Sequence, residues 1–267
     1  MKLIFLVFLV FIVTSHSYSQ SADSIVVVKS PSSRLSGLID IQDLVNQGYN
    51  FWDDEFKGHW AGIELGINGF ANPDYSMYPV NENNFLQNTL LLSNTLNLNL
   101  FQYSLGLQQT RTTIGLVTGL GISFQGYHID DNTTISVDEN HKVQPEYVYL
   151  AASQKSKFSM INLEIPLLVE FQIPIKNYAN RLYFSTGLTG LIRLETQTKI
   201  KYEKDGKKEK LKSPGNYSVR DFKAAATFRI GYRWVNLFAT YDIFPLFEDG
   251  KGPVLYPWSV GIRLISF

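Results

Sequence analysis

Apolar and polar residues alternate with a period of two between Ile161 and Ile173. Apolar side chains occupy every second position, and Asn162, Glu164 and Glu170 are among the residues between them. This period predicts a β-strand with one apolar and one polar face. Two carboxylates inside the pattern exclude a strand buried on both faces in an apolar core. The polar face therefore meets either bulk water or a polar interior.

The same alternation recurs along the chain and predicts eight strands. In the second strand the apolar phase changes after Leu100, which predicts a β-bulge. An even number of strands is required of closed antiparallel barrels in bacterial outer membranes. The predicted bounds are 59–69, 95–107, 113–127, 161–173, 181–199, 217–233, 236–244 and 256–267.

The connections between these strands alternate in length. Short links are predicted at 108–112, 176–180 and 235–236, and long polar links at 70–94, 129–157, 200–216 and 245–255. Short turns at one rim and long loops at the other are typical of transmembrane barrels. We predict an all-β fold, an eight-stranded antiparallel transmembrane up-and-down β-barrel with its apolar face toward lipid. The main rival is a soluble lipocalin-like barrel.

The first residues have the layout of a secretory signal. Lys2 precedes an apolar run from Leu3 to Val13, and small residues follow at Ser17 and Ser19. Such a run is too short to span a bilayer as a helix. We therefore predict a signal peptide at 1–19, export to the cell outer membrane, and both termini of the mature chain in the periplasm.

The next predicted region, 20–57, is a periplasmic extension with one short helix, followed by the barrel at 58–267. Leu38, Ile41, Leu44 and Val45 recur at helical spacing and form an apolar stripe. This stripe either docks under the barrel or binds a periplasmic protein partner.

Composition narrows the remaining functions. The chain has 24 basic and 24 acidic residues, which argues against binding to nucleic acid. It has no cysteine, so no disulfide can form. The histidines lack metal-ligand spacing, and no cofactor motif is present. We expect a monomeric barrel without metal or cofactor.

Three segments resemble the PorT-like outer-membrane β-barrel family of Gram-negative bacteria. They are GHWAGIELGIN at Gly58–Asn68, NLEIPLLVEFQIP at Asn162–Pro174 and LYFSTGLTGLI at Leu182–Ile192. The resemblance implies an eight-stranded, OmpA-like barrel. Some members of that family are associated with secretion to the cell surface or with gliding, and the family has no set of catalytic residues to carry over.

The predicted phase turns charges of both signs toward the barrel interior. Isolated charges there are costly, so a network of ion pairs is expected. We predict Glu64 with Arg263 and Arg229 with Asp242 as pairs. The network acts as a structural plug, or alternatively as a gated ion or proton path. Its predicted members are Glu64, Glu164, Glu170, Arg193, Glu195, Arg229, Arg233, Asp242 and Arg263.

Two other features suggest chemistry. Ser123 and His128 lie near the outer rim and suggest a lipid-modifying hydrolase, although no nucleophile motif surrounds the serine. The segment 201–212 is lysine-rich and is predicted to face outside the cell. Its lysines are candidate contacts for phosphates of lipopolysaccharide, namely Lys204, Lys207, Lys208 and Lys210.

Aromatic residues near the predicted strand ends fit the headgroup level of a membrane. They include Trp60, Trp234, Trp258, Tyr127, Tyr232 and Tyr256. The sequence therefore favours a non-enzymatic outer-membrane barrel with a structural or accessory role in envelope assembly, secretion or surface interaction. The alternatives are an outer-membrane lipid-modifying hydrolase and a narrow ion or solute channel.

Overall fold

The structure is a computed structural model that describes residues 56–82, 84–108, 113–129, 132–150, 154–175, 177–204 and 206–266. The predicted signal peptide, nearly all of the predicted extension and Phe267 lie outside the described residues. In the described part, no helix is long and apolar enough to cross a membrane.

The described chain is 70% β-strand, with two short 3-10 segments at Val80–Glu82 and Leu90–Leu92. The strands, numbered in chain order, are β1 (Gly62–Asp74), β2 (Asn94–Gly106), β3 (Ile114–Ile129), β4 (Thr133–Val137), β5 (Val143–Tyr147), β6 (Lys155–Ile175), β7 (Asn177–Lys204), β8 (Lys207–Pro214), β9 (Phe222–Tyr232), β10 (Val235–Asp242) and β11 (Val254–Ile265).

Eight of these strands pair in a closed antiparallel ring. The order is β6, β3, β2, β1, β11, β10, β9 and β7, and β7 pairs with β6 to complete the circle. The predicted all-β, antiparallel arrangement of eight strands is confirmed. The ladder of β2 against β3 skips Leu100, so the predicted bulge is also confirmed.

Three further strands lie in segments predicted as loops. β4 and β5 form a separate hairpin, and β8 pairs with the far end of β7. Every residue of β8 is exposed, and charged and polar side chains dominate it. The alternation of apolar and polar residues that predicts half-buried strands is therefore missing there.

Side chains of the ring alternate between a polar interior and an apolar exterior. On β6, Leu167 is 62% exposed, whereas its neighbour Leu168 and the carboxylates of Glu164 and Glu170 are buried. Each of the eight ring strands presents exposed apolar side chains, among them Leu65, Phe101, Leu120, Ile165, Leu188, Phe228, Leu237 and Ile262.

Different groups of residues fill the two ends of the ring. At the short-turn end, Phe56 and Trp60 pack against Val117 and Leu168. At the long-loop end, the connections fold over the ring around a larger apolar core. That core includes Tyr75, Tyr78, Phe85, Leu86, Tyr127, Phe158, Tyr217, Leu246 and Phe247.

Candidate functional site

A cluster of buried ions crosses the middle of the ring. Arg229 on β9 donates from Nη2 to Oε1 of Glu64 on β1, and the Nε of Arg263 on β11 lies 4.0 Å from the same oxygen. Asn97 Nδ2 donates to the other carboxylate oxygen at 3.2 Å. The three charged side chains are at most 3% exposed. One carboxylate thus faces two guanidinium groups, including the predicted partner Arg263.

A second buried ion pair lies nearer the long loops. Lys223 Nζ is 2.6 Å from Asp242 Oδ2, and both side chains are almost fully buried. The sequence predicts Arg229 as the partner of Asp242, and this pairing is wrong. In the β9–β10 ladder Arg229 is opposite Phe238 and Asp242 is opposite Ala225, so the two ions are four residues apart along the ladder.

A third polar cluster surrounds Glu170 on β6. Ser185 Oγ and Gln172 Nε2 each donate to this carboxylate at 2.7 Å. His59 approaches it twice, with Nδ1 2.6 Å from Oε1 and the backbone N–H donating to Oε2 at 3.1 Å. The His59 ring stacks on Tyr183 at 4.2 Å, and Tyr183 accepts a hydrogen bond from Arg263. The cluster around Glu170 is thereby linked to the ion cluster around Glu64.

Residues 56–61, which precede β1, lie inside the ring and are held by inward side chains. Gln102 accepts hydrogen bonds from the backbone of Trp60 and Ala61 and donates to the carbonyl of Gly58 at 2.9 Å. Gln172 donates to the carbonyl of Lys57 at 2.7 Å. We call residues 56–61 the inner segment. The walls of the ring thus provide partners for several of its polar backbone groups.

Glycines on β3 make room for the inner segment. A Cβ on Gly115 would lie 2.4 Å from the ring of Phe56, and a Cβ on Gly119 would lie 2.8 Å from Trp60. Trp60 also stacks against Arg229, whose Cζ is 4.7 Å from the indole centroid. Trp60 and Tyr127 were predicted at the membrane surface, but both are buried. Gly119 and Arg229 accommodate the ring of Trp60, whereas Tyr127 packs in the loop core against Phe70 and Phe158.

The predicted interior set is not fully brought together. Glu164 is buried in the same interior, and Arg193 lies at its edge, paired with Asp221. Glu195 is exposed, because the β6–β7 ladder skips Leu194 and the bulge reverses the faces of β7. Arg233 is also exposed, in the turn after β9 with φ of 54°. These two residues are corrections to the predicted network.

Sequence reasoning missed two interior residues that carry charge or can carry it. Lys223 lies between the outward Phe222 and Ala224, so alternation alone could have identified it. His59 precedes β1 and sits in the inner segment, where no alternation exists to reveal its direction. The inner segment packs inside the ring through tertiary contacts, and the local sequence pattern does not predict such contacts.

Little free space remains in the middle of the ring. A cavity of about 10 Å³ lies among Glu64, Glu164, Arg229 and Asp242, enough for about one water molecule. Side chains therefore fill this layer, as expected of an eight-stranded closed sheet.

The loop cap above the ring contains buried tyrosines. Tyr78 donates its hydroxyl to the carbonyl of Val143 at 2.5 Å, joining the 74–94 connection to β5. Burial, followed by the charges of Asp138 and Glu82, raises the pKa of Tyr78 to about 12. Burial also raises the pKa of Tyr75 above its ordinary value. Both groups stay neutral at physiological pH, as an apolar cap requires.

A cleft of about 600 Å³ lies among the long loops. The hairpin of β4 and β5 forms one wall, and β7, β8 and residues 214–218 form the other. Its volume is within the range of small-molecule sites. Its lining mixes hydroxyls with apolar side chains, among them Thr134, Ile135, Thr198, Ile200, Leu211 and Tyr217.

The predicted hydrolase pair does not assemble. Ser123 is buried in the interior, where Asn162 Nδ2 approaches its Oγ at 3.4 Å. His128 is five residues further along β3, so its side chain leaves the opposite face of the strand. Among the described residues, no group of three or more histidine, aspartate or glutamate side chains is placed to hold a metal ion.

The candidate phosphate-binding lysines lie on the hairpin of β7 and β8. Lys208 and Lys210 share the outward face, whereas Lys207 belongs to the other face and is opposite Lys204 in the ladder. The residues chosen from sequence are therefore divided between two faces.

Comparisons with family models, with curated proteins and with solved structures find no significant match to this chain. The resemblance to PorT-like proteins stays a prediction from the three quoted segments. The functional argument therefore rests on the geometry of the ring.

Proposed function

We propose that the chain is an outer-membrane β-barrel with a filled interior, which acts without catalysis as a structural or accessory protein of the envelope. In this proposal the short turns and the inner segment face the periplasm and the long loops face outside. The observation that carries it is the exposed apolar exterior of the closed ring.

The exterior has the character of a lipid-facing surface. The outward positions of the ring strands between the two rims carry apolar, aromatic, threonine or glycine residues, and the exposed Glu195, opposite Ile161, lies at the long-loop limit of this band. The apolar positions of β6 from Ile161 to Ile173 extend about 40 Å at roughly 3.3 Å per residue. At a tilt of about 45° this corresponds to about 28 Å along the membrane normal, close to the apolar band of such barrels.

The ring has buried ions inside and apolar side chains outside. A soluble barrel has the reverse distribution, with an apolar interior and a polar exterior. In water, large exposed patches of leucine, isoleucine and phenylalanine favour aggregation. A bilayer removes this penalty, because the same side chains then face hydrocarbon. This inversion supports the membrane barrel over the lipocalin-like alternative.

The interior supports a structural role over conduction. Ion pairs fill the middle, the inner segment fills the short-turn end, and the loop core covers the other end. The separation of Ser123 from His128 removes the geometry on which the hydrolase alternative depended. In this proposal, partners bind to surfaces outside the ring. These surfaces are the long loops, with their 600 Å³ cleft, and the predicted extension.

Single cysteines give a direct test, because the chain has none of its own. Leu188→Cys places a thiol on the exterior, and Thr189→Cys places one in the interior at the same height on β7. In lipid vesicles, a fluorophore on Leu188→Cys should be quenched by nitroxides attached to lipid chains. A membrane-impermeant maleimide should not label that cysteine until detergent is added.

The matched control separates membrane insertion from simple burial. Thr189→Cys should resist the maleimide and should also be insensitive to lipid nitroxides, because the ring shields it. Rapid aqueous labelling of Leu188→Cys in vesicles, without nitroxide quenching, would refute the membrane placement.

A further inference from the structure

Six lysines form a regular array on three adjacent strands above the apolar exterior. The ladders place Lys155 opposite Lys201 and Lys201 opposite Lys210 in one row. The second row contains Lys157, Lys199 and Lys212. We call these six residues the lysine grid. With strands about 4.8 Å apart, its backbone positions cover roughly 10 Å by 7 Å.

All six side chains leave the outward face of the sheet. Their neighbours Ser156, Phe158, Thr198 and Ile200 are buried on the inward face, so alternation directs the lysines outward. The second row is nearer the apolar exterior, and we call it the lower row; its β6 member, Lys157, precedes Ile161 by four residues. Four residues cover about 13 Å, or about 9 Å along the normal of a tilted barrel, which is the headgroup level above the apolar band.

The positive charges of the lysine grid are largely uncompensated by the protein. Within the described residues no carboxylate forms an ion pair with any of the six lysines. Lys157 has a polar contact, from Nζ to Asn94 Oδ1 at 3.1 Å. Like charges placed directly opposite each other destabilise a sheet. An external anion would remove that repulsion.

The electrostatics of Lys199, which lies beyond the apolar band, agree with this arrangement. Partial burial, and then the neighbouring ammonium groups of Lys201, Lys212 and Lys210, lower its pKa. A phosphate beside Lys199 would offset this repulsion between cations.

We propose that the lysine grid binds the phosphate groups of a multiply phosphorylated lipid of the outer leaflet. This inference rests on the proposed membrane placement. Two features select a lipid over a soluble phosphate: the grid continues the apolar exterior, and two rows can bind two phosphates while acyl chains lie on the strands below.

The lower row provides the test. Lys199→Gln/Lys212→Gln removes two adjacent charges nearest the apolar band. Lys207→Gln/Lys208→Gln removes two charges at the tip of the same hairpin and is the matched control. Each full-length variant is placed in phosphatidylcholine nanodiscs with bis-phosphorylated lipid A, and the bound lipid is measured by native mass spectrometry. Heat-modifiable migration on gels checks that each variant folds.

The lower-row variant should lose about 25-fold in affinity, since each lysine near an anionic surface contributes about fivefold. The tip variant should change affinity by less than about threefold, because its charges lie four or five residues beyond Lys212, about 13–16 Å further along the strand from the band. Dephosphorylated lipid A should bind the unmodified protein no better than phosphatidylcholine. Equal losses in the two variants, or equal binding of both forms of lipid A, would overturn the proposal.

Two further arms separate the possible failures. In the first, inorganic phosphate is added at the same concentration as lipid A. Displacement of lipid A by this equimolar phosphate would show that the grid is a site for free anions and not for a lipid. Binding of lipid A is also measured in detergent micelles, where membrane insertion is not required. If lipid A does not bind in micelles, the proposed phosphate site at the lysine grid is rejected and the membrane placement is not affected. If lipid nitroxides do not quench the fluorophore on Leu188→Cys, the membrane placement itself is rejected.

Discussion

Replacement of Glu64 by glutamine should destabilise the protein far more than removal of a surface carboxylate. Glutamine keeps the size of the side chain and can still accept the hydrogen bond from Asn97. It removes the negative charge that faces Arg229 and Arg263. Two buried guanidinium groups would then lack a counter-ion.

The expected magnitude follows from burial. The side chains of Glu64 and Arg229 are each 2% exposed. Loss of one partner from such a buried pair costs about 3–5 kcal/mol. Asp249 supplies the contrast, because its side chain is 91% exposed in its pair with Arg220. Asp249→Asn should cost less than about 1 kcal/mol.

Equilibrium unfolding in urea with lipid vesicles measures both changes. Tryptophan fluorescence is a suitable signal, since Trp60 contacts Arg229 directly. Arg229→Met in the Glu64→Gln background should recover part of the lost stability, because one unpaired cation is then removed. Equal free energies of unfolding for Glu64→Gln and Asp249→Asn would refute the conclusion that the buried pair stabilises the ring.

Three other outcomes follow from separate parts of the structure. Gly115→Val should displace the inner segment, because the valine Cβ would overlap Phe56. Faster cleavage of the inner segment by trypsin would measure this displacement. Gly190→Ala is the control, because a Cβ there has no contact closer than 3.7 Å. Tyr78 should titrate near pH 12 by ultraviolet absorbance, and Tyr78→Phe should remove that transition. Since folding raises this pKa, the stabilising contribution is complete below about pH 10 and is lost as the pH rises toward 12. Leu167→Arg should lower the free energy of unfolding in vesicles by about 2–4 kcal/mol, and no loss of stability would contradict a lipid-facing position.

Much of the ring could be predicted because its two faces meet different surroundings. Alternation with period two identified each ring strand, and the change of phase at Leu100 revealed a bulge. The second bulge, at Leu194, was hidden from the sequence. Polar residues such as Gln197 and Thr198 follow it on both faces, so no apolar phase marks the reversal. Glu195 was therefore assigned to the wrong side.

The inner segment could not be predicted by the same means. Phe56 and Trp60 carry the aromatic character expected of either a lipid interface or a core, and local sequence does not distinguish the two. The glycines at 115 and 119 leave room beside β3 for large side chains. Which side chains those are depends on the closed ring, which brings residues distant in sequence together.

The position of the inner segment also determines how mechanical tension would travel. The chain passes through the inside of the ring before it joins β1, and side chains of β2 and β6 hold its backbone. A pull on residues before Phe56 would thus be shared among several strands instead of peeling β1 from its seam with β11. Anything tethered to the start of the chain is anchored in the charged centre of the molecule.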